Sequence, residues 1–273
     1  MSGVAITGAS GYVGSSIARC FRVRGWEVLE LGRRAAQRYE LGGAIEVDWS
    51  GIEALVHCAW DFGLRRWEEI ERVNVQGSVR LMEAAREAGV GRGVFISSLS
   101  CFEGCRSLYG KGKLAVEREA LRMGFAVVRP GLVYGEWRPG GMMGALEKAV
   151  KTSPVVPLIG DGSYPQYPVH EEDLAALIFA LCQGGETPAE PVAAASGEAI
   201  PLRELLRRIA ARHGRKPLFV PVPWRVILAG LKAMERMGLN PPFRSDSLSG
   251  FVFQNPEPHF EAAHQLSRFR VFQ

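Results

Sequence analysis

The stretch Thr7-Gly8-Ala9-Ser10-Gly11-Tyr12-Val13-Gly14 decides the fold of this 273-residue chain. Residues 4–6 before it are apolar and favour a β-strand, whereas residues 15–21 after it have the composition of a helix. A strand, a glycine-rich turn and a helix in this order begin a βαβ unit that binds a dinucleotide. The alternative is an ordinary strand-to-helix turn that is rich in glycine.

The three glycines of the turn, spaced G-x-x-G-x-x-G, have separate roles in such a site. Gly8 lets the chain turn, Gly11 lets the backbone approach a pyrophosphate, and Gly14 lets the helix pack close to the sheet. The start of the helix offers free N–H groups and the positive end of its dipole to the phosphates. The turn residues predicted to contact the cofactor are Thr7, Gly8, Ser10, Gly11, Tyr12, Val13 and Gly14.

The composition is that of a globular protein with a sizeable core, since 47% of the residues are hydrophobic. A net charge of +4 gives no reason to expect nucleic acid as a partner. No apolar run approaches the roughly 18–20 residues of a membrane span, and a strand that starts at Val4 argues against a signal peptide. We therefore expect a small-molecule substrate, and neither nucleic acid nor a membrane as partner.

The five cysteines are odd in number and irregularly spaced. The one close pair, Cys101-x-x-x-Cys105, has no cluster of histidines beside it, so we predict no metal site. Reduced thiols favour a cytoplasmic protein.

Short apolar stretches alternate with helical patterns through the first 135 residues. This order predicts an α/β fold with a doubly wound parallel sheet of the Rossmann type, which binds ligands beyond the carboxyl ends of its strands. The predicted strands are Val4–Ile6, Glu27–Leu31, Ala44–Val47, Ala54–Cys58, Gly93–Ser97 and Ala126–Arg129, and the predicted helices are Tyr12–Arg24, Trp67–Ala88 and Tyr109–Met123.

The composition changes beyond Gly135, where proline and glycine become frequent. We predict that residues 1–135 form the dinucleotide-binding domain, rejoined by about 169–197, and that 136–168 and 198–273 form a smaller, mostly helical substrate lobe. Amphipathic helices are expected near Leu202–His213 and Trp224–Met237, with Pro241-Pro242 ending the second. Packing within the lobe is their expected role, and contact with a membrane surface or a partner is the alternative.

Tyr109 and Lys113 form a Tyr-x-x-x-Lys motif that could carry acid–base chemistry. Residues four apart share one face of a helix, so the ammonium would lie near the phenol and lower its pKa from about 10. Upstream, the predicted strand that ends at Ser97 is followed by Ser98, whose hydroxyl could bind a substrate oxygen, with Ser100 as the alternative. Each feature is also compatible with an ordinary helix face or turn.

In their order, these motifs resemble those of the extended short-chain dehydrogenase/reductases of the NAD-dependent epimerase/dehydratase family, from the N-terminus to about Leu181. The motifs are Thr7-Gly8-x-x-Gly11-x-x-Gly14, Asp48-Trp49, Val56-His57-Cys58-Ala59, Val73-Asn74-Val75-x-Gly77, Ser97-Ser98, Tyr109-x-x-x-Lys113, Arg129-Pro130-Gly131-x-Val133-Tyr134-Gly135, Gly160-Asp161-Gly162 and Val169-His170-x-x-Asp173-Leu174.

The resemblance implies a hydride transfer at a carbinol or carbonyl carbon. It implies that Tyr109 is the general acid or base, that Lys113 holds the nicotinamide ribose and tunes Tyr109, and that Ser98 binds the reacting oxygen. It also implies a homodimer contact through the helices Trp67–Ala88 and Tyr109–Met123. The other residues that it assigns to the cofactor site are Asp48 and Trp49 at the adenine, the His57–Trp60 segment with Cys58, Ala59 and Trp60, and Pro130 with Gly131 near the nicotinamide.

The residues after the second strand predict the cofactor. The position of the acidic residue that accepts hydrogen bonds from the ribose of NAD falls on Gly32, and Arg33 and Arg34 follow. Because guanidinium groups suit a 2′-phosphate, we predict NADP(H) in preference to NAD(H). Glu30 could still reach the ribose and reverse this preference.

The substrate is less defined by the sequence. Gln166 stands where nucleotide-sugar epimerases of the family place an arginine, and no acidic pair accompanies Ser98 as in dehydratases. Both departures from the family pattern weaken the case for a nucleotide-sugar substrate. The lobe residues that could line an apolar pocket, or form a core, are Trp137, Met142, Met143, Tyr164, Tyr167 and Trp224.

Three functions remain compatible with the sequence. The first is an NADP(H)-dependent reductase or dehydrogenase with a Ser98–Tyr109–Lys113 site. The second is a nucleotide-sugar epimerase with tightly held NAD, and the third is a dinucleotide-binding sensor or subunit without catalysis. Intact Tyr109 and Lys113 favour the two enzymes, because a binding protein has no need of an acid–base pair.

Overall fold

The computed structural model describes residues 2–136, 140–239, 241 and 243–273. The strands are β1 Gly3–Thr7, β2 Glu27–Gly32, β3 Gln37–Arg38, β4 Ile52–His57, β5 Arg92–Ile96, β6 Ala126–Pro130, β7 Leu132–Tyr134, β8 Val155–Ile159, β9 Pro165–Gln166, β10 Pro168–His170, β11 Val192–Ala194, β12 Ile200–Pro201 and β13 Leu218–Val222.

The helices surround the sheet and build the lobe. They are α1 Tyr12–Val23, α2 Trp67–Glu69, α3 Gln76–Glu87, α4 Leu108–Arg122, α5 Gly141–Thr152, α6 Glu171–Gln183, α7 Leu202–Arg212, α8 Trp224–Arg236, α9 Ser245–Val252 and α10 Glu261–Leu266. A π-helical segment, Ile70–Val75, joins α2 to α3, so the single helix expected over Trp67–Ala88 changes its hydrogen-bond register twice.

The central sheet has seven strands in the order β11-β6-β5-β4-β1-β2-β3, and every neighbouring pair is parallel. This arrangement confirms the predicted doubly wound α/β fold. The chain leaves β1 toward β2 on one side and later returns to β4 on the other. The crevice where such a sheet binds its ligand therefore opens beyond the carboxyl ends of β1 and β4.

Helices cover both faces of the sheet because its strands are apolar on both sides. Val4 and Ile6 of β1 belong to the core under α1 and α6, whereas Ala5 belongs to the core under α3 and α4. This alternation follows from the period of two residues in a strand.

A third core lies in the lobe, between α5, α7 and the β8–β13 pair. It contains Val150, Leu158, Leu205 and Phe272, all almost fully buried. The amphipathic segments predicted here are α7 and α8, and α8 ends before Gly238, which has a left-handed φ of 78°. Pro242 lies outside the described residues, and the domain boundaries given above stay a prediction.

The strand predicted at Ala44–Val47 is wrong, because this segment has no strand pairing. The two residues of β3 already occupy the edge of β2. The Gln37 side chain donates to the carbonyl oxygen of Glu46 at 2.6 Å and holds the segment as a loop. Its apolar residues Ile45 and Val47 pack against the α3–α4 side of the core, which explains the misleading pattern.

No helix in the described ranges is long and apolar enough to cross a membrane. The described residues also contain no group of three or more histidine, cysteine or acidic side chains that could hold a metal ion. The cytoplasmic location expected from the cysteines stays a prediction.

Candidate active site

A cavity of about 1050 Å³ follows the carboxyl edge of the sheet, from the glycine turn to the lobe. It brings together many side chains and turns that the sequence analysis singled out. The predicted site residues that line it are Gly8, Gly11, Tyr12, Val13, Gly14, Cys58, Trp60, Ser98, Tyr109, Lys113 and Pro130.

The glycine turn has the geometry of a phosphate cradle. Gly8 has a left-handed φ of 67°, and a Cβ atom at Gly14 would overlap the carbonyl oxygen of Gly8. α1 starts at Tyr12 without a side-chain cap, and its first turn contains no acidic residue. Its first N–H groups therefore remain available to an anion, and the turn fits the pyrophosphate of a dinucleotide.

Seven of the predicted cofactor residues do not line the cavity: Thr7, Ser10, Arg33, Arg34, Asp48, Trp49 and Ala59. Thr7 is fully buried, and its hydroxyl accepts hydrogen bonds from the backbone N–H groups of Cys58 at 3.0 Å and Ala59 at 3.1 Å. Thr7 thus ties the end of β1 to the end of β4. Ser10 is exposed on the other side of the turn, beside Arg22 and Glu30.

His57 and the Asp48-Trp49 pair also lie away from the cavity. His57 is fully buried between Thr7 and Ser78, and burial lowers the pKa of its ring to about 3. It is a neutral structural histidine. Asp48 is exposed and accepts the N–H of Ser50 at 3.0 Å, while Trp49 packs against the core.

Tyr109 lies where the cavity meets the lobe and is half-buried beneath Trp60 and Phe62, with ring centroids 5.8 and 5.7 Å away. Burial raises the pKa of its phenol above the usual value, and a hydrogen bond with the side chain of Ser98 acts in the opposite direction. Both side chains line the cavity, where the Ser98 hydroxyl also accepts the backbone N–H of Ser100 at 3.1 Å. The expected lowering of the Tyr109 pKa is wrong.

Lys113 explains why the expectation fails. Lys113 is 2% exposed, and its ammonium donates to the carbonyl oxygen of Ile96 at 2.7 Å and lies 5.9 Å from the centre of the Tyr109 ring. Burial lowers the pKa of Lys113 to about 7, so the site disfavours its charge as well. Desolvation by burial is therefore the largest influence on the pKa of both groups.

Residues of the lobe hold the start of the helix that carries Tyr109. The carboxylate of Asp246 accepts the backbone N–H groups of Leu108 at 2.7 Å and Tyr109 at 3.1 Å, and Ser107 caps Gly110 at 3.0 Å. Together they satisfy three of the N–H groups that a helix start leaves open. The sequence analysis missed Asp246, which is 137 residues from Tyr109 along the chain.

Arg244 and Ser245 extend this contact on either side. The Arg244 guanidinium donates to the carbonyl oxygens of Phe62 and Leu64, in the loop after β4. Ser245 donates its hydroxyl to the Glu235 carboxylate at 2.6 Å, which joins α9 to α8. The segment Arg244–Asp246 therefore connects the lobe to two walls of the cavity.

Comparison with known proteins places this geometry in a family. Residues 4–193 match the NAD dependent epimerase/dehydratase family. The chain belongs to this family. The chain is 30% identical to a ceramide reductase of Caulobacter vibrioides, in an alignment that covers 81% of this chain and 73% of that protein.

Two further proteins are similar to this chain over most of its length. A dTDP-4-dehydro-6-deoxy-D-allose reductase of Streptomyces bikiniensis is 28% identical, with 78% of this chain and 81% of that protein covered. The solved structure of MoeE5 in complex with UDP-glucuronic acid and NAD is 26% identical, with a TM-score of 0.69 and coverage of 81% and 86%.

In this member of the epimerase/dehydratase family, Arg33 and Arg34 are exposed in the turn that follows β2. Across the described part of the chain, neither guanidinium makes a hydrogen bond or an ion pair. Glu30, which could have bound the ribose, instead accepts the Arg22 guanidinium at 2.5 Å. The end of β2 therefore presents the two exposed guanidinium groups, whereas the Glu30 carboxylate is paired with Arg22 of α1.

The far end of the cavity is built mainly from the lobe. Gln166 lines it but donates its amide to the carbonyl oxygen of Pro165 at 2.8 Å. Met142 and Tyr167 line the cavity, as expected, whereas Tyr164 and Trp224 pack against the lobe core, Met143 is buried there, and Trp137 lies outside the described residues. The lining residues that sequence reasoning missed include Arg65, Lys232, Arg244, Ser247, Ser249 and Asn255.

Proposed function

We propose that this protein is an NAD(P)(H)-dependent reductase or dehydrogenase that acts at a carbonyl or carbinol carbon. One observation carries the proposal: a single cavity contains both the glycine turn with its uncapped helix and the side chains of Ser98, Tyr109 and Lys113. The reductases of Caulobacter and Streptomyces among its relatives support this reaction class.

Tyr109 acts as the proton donor in the reductive direction. Since its pKa is raised, the phenol keeps its proton at neutral pH and can give it to the oxygen of a carbonyl as that oxygen gains charge. Ser98 donates a hydrogen bond to the same oxygen. When bound, the reduced nicotinamide supplies the hydride to the carbonyl carbon, and Lys113 holds the ribose beside Tyr109.

The end of β2 favours NADP(H) over NAD(H). The phosphates meet the N–H groups at the start of α1, and Arg33 and Arg34 meet the 2′-phosphate. Titration of the protein with NADPH and NADH, followed by fluorescence, tests this preference. In the Arg33→Gln, Arg34→Gln double variant, NADPH should bind more than tenfold more weakly and NADH unchanged, an effect on the order of 1.4 kcal/mol. Equal affinities in the native protein would overturn the assignment.

A second candidate is a nucleotide-sugar enzyme with tightly held NAD. It is favoured by the similarity to MoeE5, whose structure contains UDP-glucuronic acid and NAD, and by the cations Arg65 and Lys232 on the cavity wall. It is opposed by the uncharged Gln166. Cofactor that stays with the protein through gel filtration would favour this candidate, whereas freely exchanging cofactor would favour the reductase.

The Tyr109→Phe variant tests the acid role. We expect NADPH oxidation with a panel of carbonyl compounds to fall in kcat by roughly 10²–10⁴-fold, the usual contribution of a general acid. Tyr39→Phe is the matched control, because Tyr39 is buried outside the cavity and its hydroxyl has no hydrogen-bond partner in the described structure. Turnover by Tyr109→Phe at the rate of Tyr39→Phe would contradict the mechanism.

A further inference from the structure

The exposed apolar side chains of this protein are concentrated in one part of the lobe. Among the described residues, eleven large hydrophobic side chains are exposed. Seven of them lie on β8, β13, α8 and the three residues after α8. They are Val155, Leu218, Val220, Val226, Met234, Met237 and Leu239.

The β8–β13 pair is apolar on both of its faces. Val156 and Leu158 point into the lobe core and are 4% and 0% exposed. Val155 pairs with Leu218 in the parallel register, and these two side chains are 46% and 63% exposed. Val220, two residues along β13, shares their face. The β8–β13 pair thus buries one apolar face in the lobe core and exposes a second apolar face to solvent.

α8 continues this surface directly after β13, with Pro223 as the single residue between them. Its inner side packs Leu231 against the lobe core and brings Leu228 to the cavity. Its outer side contains Val226, and Met237 directly after its last residue continues that side; the two side chains are 61% and 68% exposed. The exposed residues between them on that side are small and uncharged: Ala229, Gly230 and Ala233.

Within residues 212–239, basic residues flank this apolar side and outnumber acidic ones. On α8, Arg225, Lys232 and Arg236 follow the helical spacing of seven and four residues and lie along one border, where Lys232 also lines the cavity. Residues 212–239 contain six arginines and lysines but one acidic residue, Glu235, which binds Ser245. The whole chain, in contrast, has 33 basic and 29 acidic residues.

We propose that this surface docks on an anionic lipid bilayer, with α8 lying in the plane of the membrane. We name it the α8 face and define it as the exposed side chains of Val155, Leu218, Val220, Val226 and Met237 with the basic border of α8. An apolar helix side bordered by arginine and lysine is the pattern of interfacial helices, which insert apolar groups while cations contact acidic headgroups.

Charge selects the bilayer over a second copy of the chain. A symmetric dimer through the α8 face would bring two basic borders together, whereas acidic headgroups neutralise them. The proposal concerns lipid contact at a surface, not a span. It replaces the expectation of no membrane partner, which rested on the lack of a long apolar run. It does not depend on the proposed reaction.

Vesicle flotation tests the proposal with the purified full chain. One set of vesicles is phosphatidylcholine with a minority of phosphatidylglycerol, and the other is phosphatidylcholine alone. We expect binding to the anionic set that weakens as salt is raised, and little binding to the neutral set. In the Val226→Glu, Met237→Glu double variant, binding should fall by roughly tenfold or more.

Val23→Glu is the matched control. Val23 is 79% exposed and lies between Arg22 and Arg24, so the change places a glutamate at an exposed apolar position with basic neighbours elsewhere on the molecule. Its binding should equal that of the native protein. NADPH titration and circular dichroism establish that both variants are folded, since neither touches the cavity.

Three results would overturn the proposal. The first is no binding of the native protein to anionic vesicles. The second is equal loss of binding in Val23→Glu and in the double variant, which would indicate a general charge effect. The third is a concentration-dependent dimer, seen by sedimentation, that the double variant dissociates and that does not bind vesicles.

Discussion

At the residue scale, burial decides the chemistry of the Tyr109–Lys113 pair. The four-residue spacing puts both side chains on one helix face, as predicted, yet the pKa of Tyr109 rises and that of Lys113 falls to about 7. Both ions lose water when they enter the site, and the ammonium is held by the Ile96 carbonyl oxygen. The site therefore favours the neutral phenol, which suits proton donation.

The lowered pKa of Lys113 makes a prediction about stability. Between pH 7 and 10.5 the unfolded chain binds more protons at this residue than the folded chain does, so stability rises with pH in that window. Relative to Lys113→Met, the native protein should gain up to about 1.4 kcal/mol of unfolding free energy per pH unit there. Urea unfolding of both cofactor-free proteins at pH 7 and pH 9 measures it. An equal difference at the two pH values would refute the assignment.

At the element scale, the start of the helix that carries Tyr109 is bound by a segment that is distant in the chain. α4 begins at Leu108, and Asp246 of α9 accepts the N–H groups of its first two residues. Arg244 likewise holds the loop after β4, because its guanidinium donates to two backbone carbonyl oxygens of that loop. The position of Tyr109 thus depends on the lobe as well as on the sheet, and Asp246 is a positioning residue.

Replacing Asp246 tests this dependence. Asp246→Ala should cost about 1–2 kcal/mol of stability and lower kcat more than it raises KM, because it frees the helix start that carries Tyr109. Asp246→Asn keeps an acceptor oxygen and should restore part of kcat. Asp161→Ala is the control, since the Asp161 carboxylate accepts the N–H of Ser163 at 2.9 Å in a turn outside the cavity. A kcat of Asp246→Ala equal to that of the control would exclude the role.

At the scale of the whole molecule, the two ends of the cavity come from different parts of the chain. The end near Gly8 is formed by the first turn of the fold and by the ends of neighbouring parallel strands. The other end, where we propose that the substrate binds, is formed largely by α8, α9 and the residues after them, including Leu228, Ser249 and Asn255. The predicted homodimer through α3 and α4 stays a prediction, which the mass of the protein in solution checks.

Ligand binding should stabilise the whole molecule in proportion to affinity. At a hundredfold excess of NADPH over its dissociation constant, the unfolding free energy should rise by about 2.7 kcal/mol. For a chain of this size, that gain corresponds to an increase in Tm of roughly 5–10 °C. NADH at the same concentration should give a smaller increase. Thermal unfolding measures both, and equal increases would argue against the arginine contacts.

Local sterics and periodicity made most of the sheet and its helices predictable. Gly8 and Gly14 mark the turn because other residues would clash there, and five of the six predicted strands are present with small changes at their ends. The sixth, Ala44–Val47, failed because apolar residues can pack on a core as a loop when a sheet edge is already occupied. An apolar pattern indicates that residues are buried, but it does not show that they pair with a neighbouring strand.

The amino-acid sequence by itself determined the dinucleotide turn, the doubly wound sheet and the helix that presents Tyr109 and Lys113. These follow from contacts between residues near one another in the chain. Only the tertiary structure decided that Thr7 and His57 support the site from behind, that Asp246 holds the start of α4, and that the outer side of α8 is exposed. Each depends on which distant residues cover a group, and desolvation and capping arise only when the folded chain brings those residues together.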